Sequence, residues 1–114
     1  MAAGVVHIPV YATLFRADVL ADGVADFLAP ASLKYGASKY TVQRSRDDMN
    51  KITALIWFNS KDDWYRFWEG EEAIEFRARF MGKYQVPITY VWHDEIGSDA
   101  GAPKPAAVAE SVSA

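Results

Sequence analysis

Apolar and polar residues alternate through the first stretch of the chain. Over residues 5–15, Val6, Ile8, Val10, Ala12 and Leu14 fall on one side of an extended backbone. His7, Pro9, Tyr11, Thr13 and Phe15 fall on the other. A period of two in β-branched and aromatic residues predicts a strand. Apolar groups on both sides suggest that both faces of its sheet are covered. Pro9 has no N–H, so the ladder loses one bond there or bulges.

The period then changes. Leu20, Val24, Phe27 and Leu28 recur at helical spacing and predict a helix over 17–29, with Asp18 at the positive end of its dipole. Pro30 is expected to end or kink it. Leu33, Tyr35 and Gly36 connect to a hairpin of strands 38–46 and 51–58, joined by the turn-prone Arg46-Asp47-Asp48-Met49-Asn50. Ser60 with Asp63 resembles a capping box with Asp in place of Glu, which makes Ser60 the expected N-cap of a second helix. Gly70 splits that helix, residues 71–81 continue it, and Gly82 ends it. Residues 84–95 predict a last strand, with Tyr84, Val86, Ile88, Tyr90 and Trp92 on one face and Gln85, Pro87, Thr89, Val91 and His93 on the other. From Gly97 the composition shifts to Gly, Ala, Ser and Pro, which predicts a domain over 1–96 and a flexible Ala/Pro/Ser-rich tail over 97–114.

The order β–α–β–β–α–β predicts an α+β fold. Short connections and right-handed crossovers lead to the split βαβ, ferredoxin-like arrangement: a four-stranded antiparallel sheet with its helices on the face of Val6, Ile8 and Val10. The opposite face keeps Tyr11, Phe15, Leu55, Trp57 and Val91. That is more apolar surface than a monomer leaves wet. Two such sheets packed face to face across a two-fold axis would bury it, so a homodimer is expected.

Composition narrows the chemistry. The chain has 114 residues, enough for one domain with its own core. Aromatic residues make up 14%, and most lie between Trp57 and Trp92, which points to a core, a pocket wall or an interface there. The absence of Cys removes disulfides, thiol catalysis and thiolate metal sites. A net charge of −3 gives no footprint for nucleic acid, and the apolar runs are far too short for a membrane span. The first residues carry no basic n-region, so no signal peptide is read and a cytoplasmic location is the expectation. No Gly-rich phosphate loop, Ser-His-Asp order, catalytic carboxylate pair or zinc pattern is present.

Three stretches carry a family resemblance: Tyr40-x-Val42-x-Arg44-Ser45-Arg46-Asp47-Asp48, Ile56-Trp57-Phe58-Asn59-Ser60-Lys61-Asp62-Asp63-Trp64, and Trp68-x-Gly70. Over residues 5–95 the chain resembles the dimeric α+β barrel superfamily, most closely its antibiotic-biosynthesis monooxygenase-like branch. Members often show a strand ending in an aromatic, a Ser-led helix start, and a Trp about eight residues into that helix. The superfamily holds oxygenases, haem-degrading, decyclising and dehalogenating enzymes, and proteins with no known activity, and fold does not fix function. Haem-degrading relatives carry a ligating His in the second half of the split helix. Here residues 71–80 contain none.

The resemblance implies that Trp68 faces a pocket between helices and sheet, where it would stack on a flat aromatic substrate. Trp64, four residues earlier, shares its helix face, and both could equally be core. Arg77, three after Ile74, reaches towards the pocket mouth or pairs on a solvated face, and Arg79 more simply faces water. Tyr11, Tyr40 and Tyr90 are candidate pocket hydroxyls and Asn59 a positioning amide, with Trp57 a further wall. His7 and His93 are expected side by side on neighbouring strands, either as a structural pair or, with Asp94 or Glu95, as a weak metal or proton site. The implied activity is cofactor-free oxygenation of a phenolic substrate, in which the site residues Trp68, Asn59 and Arg77 act by positioning. The alternative is a non-catalytic homodimeric module for ligand binding or assembly.

Overall fold

The computed structural model describes residues 3–101. Strand β1 (Gly4–Tyr11) is followed by α1 (Ala17–Gly23), and strands β2 (Ala37–Arg44) and β3 (Lys51–Phe58) form the hairpin. Helices α3 (Lys61–Trp68) and α4 (Glu71–Arg79) lead to β4 (Val91–His93). The strands form one antiparallel sheet in the order β2-β3-β1-β4. This is the ferredoxin-like α+β fold that the element order predicts.

Alternation decides which face meets the helices. Val6, Ile8 and Val10 of β1 and Ile52, Ala54, Ile56 and Phe58 of β3 are buried, and the helices return Leu20, Val24, Leu28, Trp64, Phe67 and Phe76. Each fully buried apolar side chain of this kind stabilises the fold by roughly 1.5–3 kcal/mol. The intervening residues His7, Leu55 and Trp57 stay half-buried on the sheet's uncovered face. The hairpin turn is held as its sequence suggests: the Ser45 hydroxyl accepts from the N–H groups of Asp47 (3.2 Å) and Asp48 (3.0 Å). The Ser60 hydroxyl accepts from the Asp63 N–H at 3.2 Å and caps α3.

Three element boundaries differ from expectation. The first strand stops at Tyr11, because Ala12 makes one last bridge and the Thr13 hydroxyl then donates to the Gly82 carbonyl at 2.8 Å. Leu14 and Phe15 therefore leave the sheet, 72% and 91% exposed, and Phe15 adopts a left-handed φ of 63°.

The first helix passes through Pro30 instead of ending there. A π-helical turn (Val24–Leu28) precedes α2 (Ala29–Ala31), and a 3₁₀ turn (Ser32–Tyr35) closes on Gly36 at φ 98°. In a regular α-helix the proline ring collides with the carbonyl four residues back. A wider turn just before it relieves that collision.

The last strand is interrupted. Tyr84 bridges Ala12 and the Gln85 N–H bonds the Tyr11 carbonyl at 2.7 Å, but pairing then lapses until Val91–His93. Between the Ala12–Tyr84 and His7–Val91 pairings this side has residues 85–90 against only 8–11 in β1, so it carries surplus chain, and Val86–Pro87 is a cis peptide within it. Pro9 and Pro87 both lack the N–H that a continuous ladder uses.

Residues 97–101 are exposed and have no regular structure, and the rest of the expected tail lies outside the described residues. Among the described residues no helix is long and apolar enough to cross a membrane.

Candidate functional site

The Ser60 cap fixes where α3 begins, and with it the face that Trp64 and Trp68 share. Trp64 is fully buried and Trp68 half-buried. Their rings stack with centres 5.2 Å apart and planes 24° from parallel. Phe58, at the end of β3, closes on Trp64 at 6.1 Å. Tyr90, from the surplus segment ahead of β4, meets Trp64 edge-on at 4.8 Å and Trp68 at 5.8 Å. Arg77 comes from α4 and sets its guanidinium 4.3 Å from the centre of the Trp68 ring. Four of the site residues expected from sequence, Trp64, Trp68, Arg77 and Tyr90, thus form one cluster.

Two donors in this cluster are buried without an acceptor among the described residues: the Trp64 Nε1–H and the Arg77 Nη1 group. A buried donor left unpaired costs about 1–3 kcal/mol. Such groups normally find a water, an ion or a ligand oxygen. Here both sit on residues that touch Trp68. The arrangement presents flat apolar surface together with positive charge and free N–H groups, which suits an aromatic ligand carrying an anionic oxygen.

Trp57 and Asn59 belong to a different space. A cavity of about 300 Å³ is lined by Ala3, Gly4, Ser38, Trp57, Phe58, Asn59 and Glu95. The Trp57 indole N–H is shared between the two Glu95 carboxylate oxygens at 3.3 and 3.2 Å, and the Lys39 ammonium lies 4.4 Å from the Trp57 ring centre. Asn59 stands exposed just past the end of β3. Phe58 joins the two regions, since it lines the cavity and also packs on Trp64. Tyr11 lies at the far end of β1, 38% exposed, with Lys51 5.9 Å from its ring. The structure does not bring it to either space.

His7 and His93 share a sheet face, as their strand positions suggest. His7 pairs with Val91 and His93 with Val5, so the histidines are diagonal neighbours with ring centres 4.0 Å apart. Burial, and secondarily the neighbouring His93, lowers the His7 pKa below the ordinary imidazole value. Among the described residues no cluster of three His, Asp or Glu side chains is placed to hold a metal ion. Two imidazoles alone are a poor metal site.

No family model matches this sequence, and no curated protein matches it. Solved structures do. A candidate antibiotic biosynthesis monooxygenase from Nitrosomonas europaea superposes with a TM-score of 0.73 at 12% identity, over 82% of this chain and 90% of that one. The chain shares the fold of that protein. SnoaB, a cofactor-independent oxygenase from Streptomyces nogalater solved as a mutant, has the same fold, with a TM-score of 0.68 at 11% identity over 86% and 97% of the two chains. A Nitrosomonas europaea protein of unknown function matches at 0.73 and 14% identity, over 90% and 98%. The monooxygenase fold is thus shared by proteins of known and unknown activity, at identities that speak for architecture alone.

Within this fold the sequence pattern led to the aromatic residues and left out part of the cavity beside Trp57. Ser38, Gly4 and Glu95 border it, yet each looks unremarkable in sequence. Strand register is the signal that finds them, because Gly4 pairs with Phe58 and Val5 with both Trp57 and His93.

Proposed function

We propose that this protein is a small-molecule pocket protein of the cofactor-independent monooxygenase kind, and that it acts on a flat phenolic or enolic substrate. The observation that carries this reading is the pair of buried, unpartnered donors, Trp64 Nε1 and Arg77 Nη1, beside the half-buried Trp68. A substrate anion would rest against the wall of Trp68 and Tyr90, with its oxygen taken up by those donors. The bound anion supplies the electrons that reduce O₂. For a methylene carbon flanked by aromatic rings, one oxygen atom ends in a new carbonyl and the other leaves as water, so no external reductant is needed. Holding that anion in a dry, prearranged field is the protein's task. The fold shared with SnoaB supports the general kind.

The decisive test is oxygen uptake with anthrone- and quinol-type phenols by wild-type protein and by Trp68→Ala. Substrate-dependent uptake that falls at least about tenfold in the variant, while the fold persists, supports the proposal. Absence of both uptake and binding across such compounds would end it.

We further propose that two copies pair through the uncovered sheet face. Leu55 and Trp57 are half-buried there, and Tyr11 and Val91 are 38% and 53% exposed. A lysine at position 55 should then halve the mass seen by analytical ultracentrifugation. An unchanged mass for Leu55→Lys would count against this interface.

A further inference from the structure

β4 is a short edge strand with a large responsibility. It is three residues long, and among the described residues it pairs with β1 alone, through Val5↔His93, Val6↔Trp92 and His7↔Val91. On the covered face Trp92 lies against Gly4 and joins the core, and Tyr90, one residue before the strand, walls the aromatic cluster. On the uncovered face the same three-residue ladder carries His7 and His93, whose rings are in contact at 4.0 Å. The strand that positions Tyr90 is therefore fastened beside the chain's two histidines.

We propose that His7 and His93 form a proton-sensitive clasp: neutral, they hold β4 on β1, and protonated, they release it and withdraw Tyr90 from the aromatic wall. His7 is half-buried and His93 exposed, and two imidazolium rings with centres 4.0 Å apart repel each other. Within one copy the surroundings offer little compensation. On the His7 face, β1 supplies Val5 and Pro9, β3 supplies Leu55 with Thr53 and Trp57 on the diagonals, and β4 supplies Val91. Glu95 and Lys39 are both engaged at Trp57, and Asp94 follows His93 as an exposed residue. Among the described residues neither histidine makes a salt bridge.

The sign follows from His7, whose pKa is lowered in the folded chain. A detached strand binds the proton more readily than an attached one. Attachment is thus complete above the ordinary imidazole pKa of 6.5 and weakens as pH falls below it. The clasp deepens the proposed pocket by supplying its regulation. Its structural half can be tested without any ligand, so its failure and the pocket's failure are separable.

The test is amide hydrogen exchange on the full chain, with a chelator present, read as protection factors so that the intrinsic pH dependence of exchange is removed. In wild type the protection of β4 relative to the central strand β3 should fall by about threefold or more between about pH 7.5 and about pH 5.5. In His7→Gln and in His93→Gln, each of which leaves one imidazole without a partner, the ratio should stay flat. Because β3 is the internal reference, a general loss of stability cannot imitate the result. A flat wild-type ratio, a wild-type fall that persists in either variant, or a fall that appears only where the mass read at the same pH shows paired copies separating, overturns the clasp.

Discussion

The Arg77 guanidinium rests 4.3 Å from the centre of the Trp68 ring, joining α4 to α3 at the half-buried end of the aromatic cluster. The charge gains from the ring's negative face, and its planar fork keeps one buried nitrogen free for a partner. In Arg77→Gln the charge is lost and the ligand oxygen loses its strongest partner. Binding of a phenolate, followed by tryptophan fluorescence, should weaken by roughly tenfold or more, whereas the thermal midpoint should move little. Arg77→Lys should recover only part of the affinity, since an ammonium cannot lie flat on the indole while still reaching the ligand. Equal affinity in all three proteins would remove Arg77 from the site.

Trp64 separates packing from hydrogen bonding. Its ring is fully buried among Phe58, Phe67, Trp68 and Tyr90, yet its N–H has no acceptor among the described residues. Trp64→Ala should cost about 3–5 kcal/mol in urea unfolding, the usual result of emptying a large aromatic site. Trp64→Phe keeps most of the packing and removes a donor that costs energy when unpaired, so its stability should lie within about 1.5 kcal/mol of wild type. Ligand affinity should nonetheless fall in Trp64→Phe. If it does not, the buried N–H serves no ligand.

The alternation in β1 and β3 made the covered face legible in the sequence, because one residue in two must turn to the helices. The histidine contact was legible for the same reason, once β1 and β4 were taken as neighbours. The register of β4 was not. A regular pattern over 84–95 hides the surplus residues around Pro87, and only the paired structure reveals that the ladder lapses between Gln85 and Val91. Pro30 left two outcomes open, an end or a kink, and the helix runs on through it behind a π-helical turn. The candidate site divided along similar lines. Helical spacing brought Trp64 and Trp68 together, but sequence could not show that Asn59 and Trp57 border a cavity away from that cluster, or that Tyr11 lies apart from both.

Glu72 should govern part of the acid sensitivity. Its carboxylate accepts from the Tyr35 hydroxyl at 2.7 Å and pairs with the Lys34 ammonium, tying the 3₁₀ turn to the start of α4. The Lys34 and Tyr35 hydrogen bonds lead the causes that hold its pKa at about 2, below the ordinary 4.5. A carboxyl whose folded pKa is depressed contributes stability that is present above its unfolded pKa and is lost as pH falls towards the folded one. The contribution should therefore be complete above about pH 4.5 and fade between there and about pH 2. Urea midpoints for wild type and Glu72→Gln should differ at neutral pH and converge as the solution is acidified through that window. A constant gap would show that the carboxylate's charge is not what ties the turn to the helix.

Gly4 tests whether the covered face of β4 matters as much as the histidine face. A Cβ built there would fall 2.4 Å from Trp92 Cζ2 and 2.7 Å from the His93 carbonyl oxygen, closer than real carbons approach. The indole could swing away, but the carbonyl belongs to the ladder that pairs His93 with Val5. Gly4→Ala must therefore displace β4 and not merely repack a side chain. Overpacking of this kind costs about 1–3 kcal/mol. The loss should appear first in β4, as reduced exchange protection of residues 91–93 and altered indole signals from Trp92, with the β2–β3 hairpin unaffected. Tyr90 should shift with the strand, so ligand affinity should fall even though Gly4 is not one of the four clustered residues. If Gly4→Ala weakens the whole fold evenly, β4 is a fixed part of the core and not the movable wall inferred from its short ladder.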